Sequence, residues 1–165
     1  MLMNNAEGTP EINPETLALI FEITREGPLN QIRDIDGFDT KLFQGFSVAS
    51  IIIGLASFVG IAGGSLATVL LTSALVAYIV GAIAAIAGLW PRTARGATYA
   101  GTLWRDFWNA TANDVRHAIV QDVAEAYDSN RRLLALKSVL LRSLLGATAA
   151  ETFLVGAALI YARLA

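Results

Sequence analysis

Leu42–Pro91 reads LFQGFSVASIIIGLASFVGIAGGSLATVLLTSALVAYIVGAIAAIAGLWP and contains no charged residue. A hydrocarbon core takes roughly 20 apolar helical residues to cross, so this run is long enough for two crossings with a turn between them. A soluble bundle would keep a polar stripe on each helix, and this segment has none. The stretch therefore predicts a membrane-embedded hairpin. Ala62-Gly63-Gly64-Ser65 is its one good turn signal and divides it into spans near Leu42–Ile61 and Leu66–Trp90.

Small residues recur at every fourth position within the hairpin, as Ala56, Gly60 and Gly64 in the first span and Ala77, Gly81 and Ala85 in the second. Lipid tails are as apolar as leucine, so helices in a bilayer associate through close backbone approach. These stripes are the expected packing faces, against each other or against a second protomer. The second span ends at Trp90-Pro91-Arg92, an interfacial aromatic, a helix breaker and a charge that must leave the core. Lys41, Arg92 and Arg95 make the open end of the hairpin basic, which by the positive-inside rule places both its ends in the cytoplasm.

Composition agrees with this placement: 55% of residues are hydrophobic and the mean hydropathy is +0.53. A net charge of −2 and a pI near 5.3 argue against nucleic acid as a partner, since phosphate binding needs a basic surface. With zero cysteines, disulfides and thiolate metal sites are excluded. The lone histidine, His117, sits among polar helical residues and reads as a surface side chain. No cofactor is expected.

The N-terminal MLMNNAEGTPEINPETL lacks a basic segment followed by an apolar one, so it does not read as a cleaved signal peptide, and the first apolar helix is expected to act as its own insertion signal. Asn13, Pro14 and Glu15 read as an N-cap, a first-turn proline and a first-turn acid. Leu17, Ile20, Phe21 and Thr24 give that short helix one stripe, and Gly27-Pro28 ends it. In the next helix Leu29, Ile32, Ile35 and Phe38 recur at helical spacing and lead into the membrane, with Gly37 as a site for a kink.

From about Tyr99 to Leu141 the apolar residues Trp104, Trp108, Val115, Ile119, Val123 and Tyr127 share one face of an amphipathic cytoplasmic helix. Asn130 and Lys137, seven residues apart, lie on nearly one face. They read either as a solvated edge or as a polar contact fixing this helix against the N-terminal segment. A third crossing is expected between Arg142 and Arg163, with Gly146, Ala150, Gly156 and Ala157 allowing close contacts. Glu151 stands near its middle, where inserting an ionised carboxylate costs about 3 kcal/mol even on the forgiving scales. Glu151 is thus expected to be protonated, paired or facing water, and is the candidate pore or gating residue.

The expected fold is all-α: a helical integral membrane protein with a two-span hairpin, a long amphipathic cytoplasmic helix and a third transmembrane helix. The segments are residues 1–41, an N-terminal cytoplasmic region; 42–91, the hairpin; 92–142, the cytoplasmic helix; and 143–165, the third span.

Asp39 and Lys41 entering the first span, the hairpin ending at Pro91-Arg92, the aromatic-rich helix and the Asn130 to Lys137 spacing before a last hydrophobic helix together resemble the Pycsar effector transmembrane family. The resemblance covers the chain from about Ile32 onward. It implies a bacterial inner-membrane protein, multi-pass with a cytoplasmic N-terminus, that oligomerises on an infection signal and disrupts or permeabilises its own cell's membrane. The partners so implied are the lipid bilayer, further copies of the chain, and a cyclic nucleotide or protein trigger. These residues show no phosphate-cradling glycine loop or arginine cassette, so direct nucleotide sensing is not expected.

Two further functional classes stand beside that reading. One is a non-enzymatic membrane adaptor whose cytoplasmic helix, Leu103 to Leu141, docks a soluble partner. The other, an intramembrane enzyme, is disfavoured, because Ser50, Ser57 and Ser73 have no intramembrane histidine or lysine to activate them. For the effector, the expected mechanism gathers Glu151 carboxyls around an oligomer axis, hydrogen-bonded when closed and hydrated when open.

Overall fold

A computed structural model describes residues 14–24, 27–58, 65–96 and 110–164. All its regular structure is helical: α1 (Pro14–Thr24), α2 (Gly27–Phe58), α3 (Ser65–Leu89) and α4 (Ala112–Leu164). Three of these, α2, α3 and α4, are long and apolar enough to cross a membrane. The chain is a helical, membrane-associated protein. The expected turn at residues 62–64, Gly60, and the segment carrying Trp104 and Trp108 lie outside the described residues.

Local chemistry accounts for the helix ends. Pro14 opens α1 and Pro28 lies in the first turn of α2, where a missing N–H is harmless. α2 runs through Gly37 without a break. α3 ends at Leu89, two residues before Pro91, whose ring disfavours helical geometry in the residue ahead of it. At the start of α4 the Asp114 N–H donates to Thr111 Oγ1 at 3.3 Å, and Asp114 Oδ2 accepts from the Thr111 N–H at 3.1 Å and from its hydroxyl at 2.7 Å. This reciprocal capping satisfies otherwise orphaned donors. The two expected segments 92–142 and 143–165 share one helix, since α4 continues from Ala112 to Leu164 without interruption.

The chain divides into two compact units, Met1–Ile32 with Ala94–Asn130, and Arg33–Thr93 with Arg131–Ala165. In the first, Val123, Ala126 and Asn130 form the buried line of α4, while Tyr127 is exposed. Gln31 is buried and its Nε2 donates to the Tyr127 carbonyl at 3.3 Å. Leu29, expected on the apolar face, is exposed.

In the second unit each helix carries a line of buried positions at every seventh residue: Ile35, Leu42, Ala49 and Ala56 on α2; Ala67, Ala74, Gly81 and Gly88 on α3; and Lys137, Leu144, Glu151 and Ala158 on α4. Ala84, Ala85 and Val155 are buried beside these lines. A seven-residue repeat keeps one seam facing its partners, as in left-handed helix pairs. Leu42, Ala84, Ala85 and Leu144 form one apolar cluster, and Ala56, Ala74 and Val155 a second. Together with the approach of Gly45 to Leu144, these contacts make α2 and α3 antiparallel and α4 parallel to α2.

The seam corrects the expected four-residue stripes in part. Ala56, Gly81 and Ala85 are buried, whereas Ala77 is half-buried. A methyl group added at Gly81 would lie 3.3 Å from both Leu144 and Ala147, and one at Gly88 would lie 2.6 Å from Leu42. Gly146 and Gly156, in contrast, have open space around them, and α4 meets the hairpin through Leu144 and Val155. Hydroxyls in the apolar region are absorbed locally: Ser47, Ser57, Ser73, Thr72, Thr148 and Thr152 each donate to the carbonyl one turn back.

Candidate functional site

Three polar side chains of α4, Asn130, Lys137 and Glu151, are at least 95% buried, and each meets its surroundings differently. Asn130 pairs with a single peptide unit. Its Oδ1 accepts the Arg95 N–H at 3.0 Å and its Nδ2 donates to the Arg95 carbonyl at 2.9 Å, so the carboxamide imitates a strand partner for a segment with no helix of its own. Burial rules out a solvated edge.

Lys137 lies in the second unit. Its ammonium donates to the Gly88 carbonyl at 2.8 Å and forms an ion pair with Asp39, which is partly exposed. Gly88 belongs to the last turn of α3, where carbonyls have no partner within the helix and the dipole favours a cation. One side chain of α4 therefore ties down α2 through a carboxylate and α3 through its C-terminus. Gly88 permits this because Leu42 and Leu140 pack directly against its Cα. The expected contact between Lys137 and the N-terminal segment is thus made through Asp39. Asn130 instead engages Arg95.

Lys41, Pro91 and Arg92 are exposed. Lys41 rests its ammonium 5.8 Å from the centroid of the Phe38 ring. They sit at the open end of the hairpin and take no part in its interior.

Glu151 is fully buried, and neither carboxyl oxygen has a hydrogen-bond partner among the described residues. It follows Leu144 by seven residues and precedes Val155 by four, which places it on the seam between the two apolar clusters. The same layer holds one other polar pair. Ser50 and Tyr78 share a hydrogen bond of 3.2 Å, Ser50 also donating to the Phe46 carbonyl at 2.9 Å, and the Tyr78 ring stacks on Phe46 with centroids 6.2 Å apart. Neither hydroxyl bonds to Glu151. The buried positions of the hairpin in this stretch are small residues, Ala49 on α2 and Ala74 and Gly81 on α3.

In the single chain Glu151 is buried on the seam side of α4 and is not presented on an outer face. The outer faces carry large apolar side chains such as Phe43, Ile51, Val69, Ile83, Phe153 and Ile160. Among the described residues no three histidine or acidic side chains converge as metal ligands.

Glu151, Asn130, Lys137 and Asp39 were legible as candidates in the sequence. Gln31, Tyr78 and Gly88 were missed. Gly88 stands in the seven-residue spacing Ala67, Ala74, Gly81, Gly88, but that spacing does not single it out in so alanine- and glycine-rich a chain, and nothing in the sequence announces its carbonyl as the partner of Lys137. Compared with known protein families, curated proteins and solved structures, the chain matches none.

Proposed function

We propose that this protein is a bacterial antiviral effector of the inner membrane, which assembles on an infection signal and permeabilises the bilayer. The observation that carries the reading is Glu151, completely buried between two apolar clusters, with neither carboxyl oxygen bonded among the described residues. Ionisable residues at membrane depth are expensive and by default functional. A buried carboxyl without a partner loses its hydration with nothing in return, which destabilises the packed arrangement by several kcal/mol.

In this mechanism the resting protomer holds Glu151 dry, while Lys137 pins α4 to both helices of the hairpin. Parting of α4 from the hairpin beyond Leu144 admits water to Glu151. Hydration of the carboxyl offsets the lost packing, and several opened protomers line a path with acidic side chains that favour cations. Both ends of the hairpin face the cytoplasm, where the trigger, a protein or small ligand, acts. The resemblance to the Pycsar effector transmembrane family supplies the antiviral context, and the energetics of Glu151 supply the reason for a metastable resting state.

Mass photometry of the detergent-purified protein, with ion flux after reconstitution into liposomes, tests the proposal. A discrete oligomer of four or more copies that conducts supports it. A monomer or dimer that is silent overturns it in favour of the membrane adaptor.

A further inference from the structure

The face of α3 turned away from the seam carries a groove lined by Ile83, Ile86, Ala87, Trp90 and Arg92. Ile83, Ile86, Ala87 and Trp90 follow the i, i+3, i+4, i+7 pattern of a single helix face, with Ile83, Ile86 and Trp90 more than half exposed. Arg92 closes the strip just past the end of the helix. It forms no hydrogen bond or ion pair among the described residues.

Two further cations share that end of the unit. Leu42, Gly88 and Leu140 pack together, so Lys41 on α2, Arg142 on α4 and Arg92 just past the end of α3 belong to the same end of the unit, and all three are exposed. Asp39, a carboxylate of the same end, is engaged by Lys137, and none of the three cations forms an ion pair among the described residues. We propose that the groove holds an anionic phospholipid. One acyl chain lies along Ile83, Ile86 and Ala87, the glycerol region meets Trp90, and the phosphate is bound by the Arg92 guanidinium.

The chemistry selects this occupant. A planar guanidinium binds phosphate oxygens in a bidentate manner, and Trp and Arg side chains belong at the level of the headgroups. A zwitterionic lipid would bring its own cation towards Lys41, Arg92 and Arg142, whereas an anionic one adds no opposing charge. The inference is independent of whether the assembled protein conducts.

Fluorescence quenching tests it on the full chain carrying Trp104→Phe and Trp108→Phe, which leaves Trp90 as the reporter. The protein is reconstituted in phosphatidylcholine vesicles containing a small fraction of brominated phosphatidylglycerol or brominated phosphatidylcholine. The anionic lipid should reach half-maximal quenching at about fivefold lower mole fraction, the worth of one basic side chain at an anionic surface. Arg92→Ala should abolish that preference, while Arg163→Ala should keep it. Equal quenching by the two lipids, or a preference that survives Arg92→Ala, would overturn the proposal. Absence of quenching by either lipid would place a second copy over the groove and overturn it too.

Discussion

Lys137 and Glu151 occupy the same line of α4, two heptads apart, and the helix treats them in opposite ways. At Lys137 the surrounding helices were built for the charge: Asp39 and the Gly88 carbonyl both meet the ammonium. At Glu151 no described residue meets either carboxyl oxygen. A buried charge with full partners locks a register, and one without them stores free energy. The first end of the unit is therefore an anchor, and the middle is the place where the unit opens most readily.

The sharpest way to break the comparison is to remove the anchor. Lys137→Met leaves the Gly88 carbonyl orphaned and Asp39 without its cation, and should lower stability by about 3 kcal/mol, read as a fall in thermal midpoint in detergent. Asn130→Leu, which strips both hydrogen bonds from the Arg95 peptide unit, should cost about 2 kcal/mol and show faster hydrogen exchange at Arg95. Glu151→Leu should move the other way, raising stability by about 1–3 kcal/mol and with it the midpoint, because an apolar side chain of similar size replaces an unsatisfied carboxyl. A Glu151→Leu midpoint as low as that of Lys137→Met would erase the distinction.

The smallest effect belongs to the start of α4, where hydrogen bonding and not burial sets the helix end. Thr111→Ala should raise hydrogen exchange in the first turn by about 1 kcal/mol of local opening. The Thr111 hydroxyl, then its backbone N–H, hold the exposed Asp114 carboxyl below its ordinary pKa of 3.8. A depressed folded-state pKa means that the cap contributes fully above the ordinary carboxylate range and is lost as pH falls through the lowered value. Asp114→Asn should remove this acid dependence from first-turn exchange.

These contrasts also mark what could be read from residues alone. The uncharged run from Leu42 to Pro91 announced two spans, because lipid forbids charges there and a turn needs glycine. Glu151 stood out for the same reason. The seam was harder to see, since the chain is so rich in alanine and glycine that four-residue and seven-residue spacings coexist in it. Only packing distinguishes Gly88, pressed against Leu42, from Gly146, which meets nothing. The direction in which Glu151 points was likewise invisible, for it depends on where α2 and α3 lie around α4.

Ion flux through liposomes containing Glu151→Leu, measured beside the wild type at matched assembly, tests the central claim most directly. The variant should be more heat-stable, still assemble and no longer conduct. A variant that assembles and leaks like the wild type would show that the buried carboxyl has no part in opening the membrane.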